Sequence, residues 1–227
     1  MRAVVCTELG TPDLLAIGDL PATDPGPTEV VVDVEAASFN FPDLLIIQGQ
    51  YQFRAEPPFA PGGEAVGRVS AVGDKVSGFA IGDRVTGFGA YGAFAEQWTV
   101  DQGVLAAVPD GIPVETVAAS TMTYGTSYHA LVDRADIQAG ETLLVLGASG
   151  GVGSAAIEIG KALGATVIAA ASTPAKLDFC TDLGADHVIN YVEEDLKSGI
   201  RDRVGSVDVI YDPVGGPASE ASFRTIG

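Results

Sequence analysis

Cysteine is scarce in this chain of 227 residues: only Cys6 and Cys180 occur, far apart and each inside an apolar segment. That excludes a disulfide framework or a metal knuckle and reads as two reduced core thiols. Histidine is as rare, with only His129 and His187, and neither lies near a cysteine. The N and S ligands of a tetrahedral zinc site are therefore not assembled, and no metal is expected. Positive charge is also short, with 12 basic against 30 acidic residues and a formal charge of −18. Such a surface repels phosphate backbones and anionic headgroups, so neither nucleic acid nor a membrane is expected as a partner. No apolar run is long enough to span a bilayer. The start, Met1 to Cys6, turns polar at Thr7-Glu8 and lacks the apolar stretch of a signal peptide, which points to the cytoplasm.

What is abundant is apolar residue and glycine, at 47% and 29 residues, enough for a substantial core. Up to about Val108 the apolar runs are short and β-like, such as 30–34, 65–69 and 83–85, and are punctuated by Gly and Pro. A Pro near its start and a Gly at its end mark 41–49 as one short helix within this β-rich half. From about Ile112 helix and strand alternate. Strands are predicted at 142–146, 166–171, 187–190 and 207–211, with helices over 152–163, 175–183 and 193–204, the grammar of βαβ units with a parallel sheet. A complete dinucleotide fold has six such strands, so the chain is expected to be cut off within its second half, leaving 207–211 as an open sheet edge prone to self-association.

The run Leu143 to Leu146 followed by Gly147-Ala148-Ser149-Gly150-Gly151-Val152-Gly153 is an apolar strand, a glycine turn and a helix start. There backbone N–H groups and the helix dipole receive a pyrophosphate, which makes Ser149, Gly150, Gly151, Val152 and Gly153 the candidate cofactor loop. The strand length favours the register Ala148-x-Gly150-x-x-Gly153 over Gly151-x-Gly153-x-x-Ala156. NAD folds place a carboxylate at the end of the next strand for the ribose hydroxyls. Here that strand ends Ala170-Ala171-Ser172-Thr173, and the first acid is Asp178, inside the following helix. Ser172 and Thr173 offer hydroxyls and Lys176 a positive charge to a 2′-phosphate, so NADP(H) is the expected cofactor. The alternative use of Ser172 or Thr173 is to cap the helix that begins at Pro174.

With Gly147 to Gly153 in view, the chain resembles the zinc-free medium-chain dehydrogenase/reductase superfamily, and within it the quinone oxidoreductase, zeta-crystallin-like family. Phe39-Asn40-Phe41-Pro42-Asp43 with Gly49-Gln50-Tyr51, Pro61-Gly62-Gly63-Glu64, Gly82-Asp83-Arg84-Val85, Thr126-Ser127-Tyr128 and Ile189-Asn190-Tyr191 carry the same resemblance in order. It implies an N-terminal β-rich GroES-like catalytic domain over 1–120 and a partial Rossmann domain over 121–227. Zinc-dependent relatives carry a Gly-His-Glu segment where this chain has Gly63 before Glu64, and a cysteine where it has Asn40-Phe41-Pro42-Asp43. The resemblance places Asn40 and Tyr51 beside the nicotinamide and the substrate carbonyl, Thr126 on the nicotinamide ribose or carboxamide, and Tyr191, with Ser172 and Lys176, on the 2′-phosphate. Local readings stand beside these: a helix cap for Asn40, a core aromatic for Tyr51, a helix residue for Thr126 and a sheet-edge aromatic for Tyr191. Asp43 and Glu64 read as structural.

The activity implied is NADPH-dependent, zinc-independent hydride transfer to a small-molecule quinone or activated enone, by a protein that is a homodimer at full length. The product's proton is then expected to come from solvent. Two rivals remain: an enoyl-thioester reductase of the same superfamily, and a non-catalytic nucleotide-binding fragment. Basic residues between Asn40 and Tyr124 are only Arg54, Arg68, Lys75 and Arg84, too few for a phosphate-rich thioester carrier to be favoured.

Overall fold

The computed structural model describes residues Met1–Gly227 as two compact units, Met1–Met122 and Thr123–Gly227. In the first unit β1 (Arg2–Cys6) and β2 (Leu15–Asp19) form an antiparallel pair. A five-stranded antiparallel sheet holds β3 (Glu29–Ser38), β4 (Glu64–Val72), β5 (Arg84–Phe88), β6 (Gln97–Asp101) and β7 (Leu105–Ala107), in the order β6-β3-β4-β5-β7. The β-branched Val30, Val32, Val69 and Val85 bury one face of this sheet together, as pleated strands do when alternate side chains share a side. Register shifts between Val31 and Val32 and between Val34 and Ala36 bend β3 against β4.

Helix α1 (Phe41–Ile47) leaves β3 through Asn40 at its N-cap and stops at Gly49, whose φ of +66° ends the helix without the cost a side chain would carry there. Its Ile46 and Ile47 bury against Cys6, Ala55 and Phe59. A short helix, α2 (Val114–Ala118), packs Val117 and Ala118 on Val66.

The division between the units falls within α3 (Thr121–Tyr128), which runs on as a π-helical stretch, His129–Arg134. The second unit contains β8 (Thr142–Leu146), α4 (Gly151–Ala162), β9 (Thr166–Ala171), α5 (Pro174–Asp182), β10 (His187–Asn190), α6 (Leu196–Val204), β11 (Val209–Tyr211) and α7 (Pro217–Ser222). Its four strands are all parallel in the order β10-β9-β8-β11. Leu143 and Val145 bury against Ile157 and Cys180. The alternate residues Leu144 and Leu146 bury against Leu196 and Ile200. Helices thus cover both faces, which is why these strands read as unbroken apolar runs.

In the second unit two element starts differ from the sequence expectation by two residues or more. The helix expected from Glu193 starts at Leu196, because the Asp195 carboxylate accepts from the Ser198 amide at 2.9 Å and caps it there. The strand expected from Val207 starts at Val209. Val207 instead pairs with Ile226: its N–H donates to Thr225 at 2.9 Å and its carbonyl accepts from Gly227 at 3.1 Å. No helix is long and apolar enough to cross a membrane.

Candidate functional site

Chain order and strand order part company at β8. After β8, β9 and β10 step outward on one side, and β11 returns to the other. In open α/β sheets ligands bind at such a switch point, beyond the carboxyl ends of the strands. The residue that follows β8 there is Gly147, with φ of +58°. Gly150 donates to the Gly147 carbonyl at 2.9 Å and closes the turn, and α4 starts at Gly151. A Cβ on Gly153 would lie 2.5 Å from the Gly147 oxygen and 2.8 Å from the Ala148 Cα, both backbone atoms. That close helix-to-turn packing is the role of the last glycine in the motif, and it fits the register ending at Gly153. No side chain caps α4. The amides of Gly151, Val152 and Gly153 have no intrahelical acceptor and point beyond the helix end, which fits the phosphates of a dinucleotide.

At the end of β9, Lys176 Nζ donates to Ser172 Oγ at 3.3 Å, while Thr173 is the residue that caps α5. The capping role considered for Ser172 or Thr173 thus falls to Thr173 and leaves Ser172 with Lys176. Both ends of this pair reach solvent, and the acid Asp178 sits one turn into α5, exposed. Tyr191, the residue after β10, is 37% exposed and lines a pocket of about 410 Å³ with Leu146, Gly147, Glu194, Val214 and Pro217. The far wall of that pocket is held by Asp212, whose Oδ1 accepts from the amides of Val214 and Gly215, each at 2.9 Å, and whose Oδ2 accepts from Ser219. Burial alone would raise this carboxyl; the Ser219 hydroxyl and the two amides outweigh it and hold it below the usual range. Sequence reasoning missed Asp212 and Ser219, since neither belongs to a recognisable motif.

Thr126 is exposed and lines a second pocket of about 370 Å³ with Leu131, Tyr211 and Pro213. Its neighbour Ser127 is fully buried, donates to the Val152 carbonyl at 2.7 Å and meets the Tyr211 hydroxyl at 3.0 Å. It thereby ties α3 to the turn that carries the glycines. On the same helix the Tyr124 hydroxyl donates to Glu158, and that bond with a carboxylate pushes its pKa up to about 12.

In the first unit Asn40 and Tyr51 lie on either side of α1. The carboxylate of Glu64, with no exposure, accepts from Ser38 and, at 2.9 Å, from Asn40 Nδ2 on one oxygen; the other accepts from the Met122 amide at 2.8 Å. Asn40 Nδ2 also donates to Ser38 Oγ at 3.0 Å. Ser38 Oγ and Glu64 Oε2 are bonded to each other and lie on one side of Asn40 Nδ2, so they share one amide hydrogen and leave the other for a further acceptor. Tyr51 lines a third pocket, of about 260 Å³, with Asp43, Phe53, Gly63 and Phe88. Phe53 meets Tyr51 edge-on with ring centroids 5.3 Å apart, and Tyr91 follows at 6.2 Å from Phe53. Tyr51 is therefore half-buried beside an apolar cluster and also faces open space. No group of three or more His, Cys, Asp or Glu residues is arranged to hold a metal ion.

Residues 26–110 match the family of alcohol dehydrogenase GroES-like domains, and residues 151–227 match the zinc-binding dehydrogenase family. The chain is 40% identical over 228 residues to quinone oxidoreductase-like protein 2 of Rattus norvegicus, covering 99% of this chain and 65% of that protein. It therefore spans just under two thirds of the length of that curated relative. Among solved structures it superposes on a probable oxidoreductase from Mycobacterium abscessus with a TM-score of 0.93 and 39% identity, over 100% of this chain and 72% of that one. The quinone oxidoreductase of Thermus thermophilus, solved alone and in complex with NADPH, superposes with a TM-score of 0.86 at 35% identity, over 100% of this chain and 71% of that one.

Proposed function

Because the chain belongs to the zinc-free medium-chain dehydrogenase/reductase family of the quinone oxidoreductase type, we propose that it is an NADPH-dependent reductase of a quinone or activated enone. The observation that carries this reading is the uncapped glycine turn at the topological switch, followed at the end of β9 by Ser172 and Lys176 with no carboxylate. A pyrophosphate fits the turn, and a 2′-phosphate fits a hydroxyl beside an ammonium. Tyr191 and the 410 Å³ pocket beside it supply an apolar wall for the adenosine end. The NADPH complex of the Thermus thermophilus relative supports the same assignment.

When bound, the cofactor supplies the hydride. The chain's own residues bind and orient the substrate and stabilise the charge that develops on its oxygen. In the first unit the groups suited to donate to that oxygen are the Tyr51 hydroxyl and the amide hydrogen of Asn40 that Ser38 and Glu64 leave free. We assign Thr126 to the cofactor side, on the second unit. The metal-free reading rests on the donor set: Gly62-Gly63-Glu64 offers no imidazole, and Asn40 to Asp43 no thiol. The acidic surface and free thiols suit the cytoplasm.

Titration of the purified chain with NADPH and NADH by cofactor fluorescence, with 1,4-benzoquinone added to follow cofactor oxidation, tests the proposal. Tight binding of NADPH over NADH with quinone-dependent oxidation is expected. Oxidation by a crotonyl thioester but not by the quinone would replace the substrate assignment, and a folded chain with no affinity for either cofactor would overturn the reading.

A further inference from the structure

Two hydroxyls are buried in the second unit and bonded in series. Ser127 has no exposure, and Tyr211 is buried with Leu131, Val145 and Ile157. A hydroxyl in such surroundings is costly unless it is bonded. Ser127 Oγ donates to the Val152 carbonyl at 2.7 Å and lies 3.0 Å from the Tyr211 hydroxyl. Serine has a single O–H, and a carbonyl can only accept. The Ser127 hydrogen is therefore spent on Val152, and Tyr211 is the donor of the second bond. The direction of the chain is fixed, from Tyr211 through Ser127 to Val152.

The peptide at the end of this chain joins Val152 to Gly153. Its carbonyl receives Ser127, and its N–H is the Gly153 amide, which has no intrahelical acceptor at the start of α4. A hydrogen bond at a carbonyl draws electron density toward the oxygen and leaves the N–H of the same peptide a stronger donor; bonds in series reinforce one another in this way. The effect is greatest where water is excluded, as it is at Ser127. The preceding peptide, Gly151 to Val152, also receives a hydroxyl, from Ser154 at 2.9 Å, but that bond is exposed and solvent competes with it.

We propose that Ser127 and Tyr211 are positioning residues for the dinucleotide: in series they polarise the Val152–Gly153 peptide and hold its N–H toward the pyrophosphate. The inference rests on the reading of the glycine turn as the phosphate site. Ser127, with no exposure, does not touch the cofactor and acts through the peptide alone. The group served is the pyrophosphate, which NADPH and NADH share, so this pair strengthens both, whereas Ser172 and Lys176 tell them apart.

The test is Ser127→Ala and Tyr211→Phe in the full chain, titrated beside wild type with NADPH, NADH and adenosine 2′-monophosphate. The last carries the 2′-phosphate and no pyrophosphate. Ser127→Ala is expected to weaken NADPH and NADH alike by roughly fivefold or more, the scale of one hydrogen bond, and to leave adenosine 2′-monophosphate within about twofold of wild type. Tyr211→Phe keeps the Ser127 tie to Val152, so a smaller loss confined to the two dinucleotides cannot come from freeing α3; it decides the matter if Ser127→Ala does not fold. Equal losses for all three ligands, or dinucleotide affinities unchanged in the folded variants, overturn the proposal.

A readout independent of binding is the 15N-labelled amide of Gly153, whose shifts respond to the bond at the Val152 carbonyl. An upfield move in Tyr211→Phe, larger in Ser127→Ala, with the Ser154 amide in place, supports the proposal. Wild type that binds neither dinucleotide would refute the reading of the turn and the proposal with it. Binding by wild type with an unmoved Gly153 amide in the variants overturns the proposal alone.

Discussion

Asn40 Nδ2 donates to Glu64 Oε2 at 2.9 Å, so a carboxylate hidden from solvent holds the side chain that caps α1. Glu64 also gathers Ser38 at the end of β3 and the Met122 amide at the start of α3. Glu64→Ala leaves three half-buried donors without their acceptor, at a cost on the order of 3 kcal/mol. Trp98 is the only tryptophan and is 2% exposed in the core of the first unit, so its fluorescence reports this unit's unfolding. Its thermal midpoint is expected to fall by roughly 6–12 °C in Glu64→Ala. Glu64→Gln, which keeps an acceptor oxygen, falls less. Equal and small losses in both variants would show that the carboxylate does not hold these elements together.

Gly153→Ala tests the glycine turn. Its new Cβ would lie 2.5 Å from the Gly147 oxygen, and backbone on both sides cannot yield without opening the turn. Affinity for NADPH is expected to drop at least about tenfold, or 1.4 kcal/mol, while circular dichroism shows the helices intact. Unchanged affinity would place the phosphates elsewhere.

Lys176→Ala separates the two dinucleotides. A charged hydrogen bond to phosphate contributes about 1.5–3 kcal/mol. The dissociation constant for NADPH is expected to rise tenfold or more and that for NADH by less than about twofold. A parallel loss for both cofactors would mean that Lys176 does not read the 2′-phosphate.

Asp212 sets a pH dependence for the second unit. Burial works to raise its carboxyl, and the bonds from Ser219, Gly215 and Val214 overcome it, so the folded value lies below the ordinary 3.8. The folded state thus binds the proton less readily than the unfolded chain. The group's contribution is complete above about 3.8 and is lost as pH falls through the folded value. Urea midpoints followed by circular dichroism are expected to fall between pH 5 and pH 2, and the gap between wild type and Asp212→Asn to shrink over that interval. A constant gap would exclude this carboxylate as the source.

Much of the second unit was legible in the chain because its strands are covered on both faces. Residues 143–146 and 167–171 are apolar without interruption, and the breaks between them carry glycine or a helix cap. The glycine turn was legible for the same local reason, since Gly150 and Gly153 serve a backbone geometry that only neighbouring residues define. The starts of α6 and β11 were not, because Asp195 competes for the Ser198 amide and Val207 takes a partner, Ile226, 19 residues further along.

The sequence by itself determined the two textures, the parallel βα order, the phosphate turn and the absence of an acid after β9, all of which follow from residues adjacent along the chain. Tertiary structure alone decided the clamping of Asn40 by Glu64, the anchoring of Ser127 to Val152 and Tyr211, and the burial of Asp43 and Glu64. Those depend on desolvation and on donors brought from 24 to 84 residues away. Burial and partner geometry, which determine whether a carboxyl keeps its proton or an amide its free hydrogen, exist only once the strands have paired.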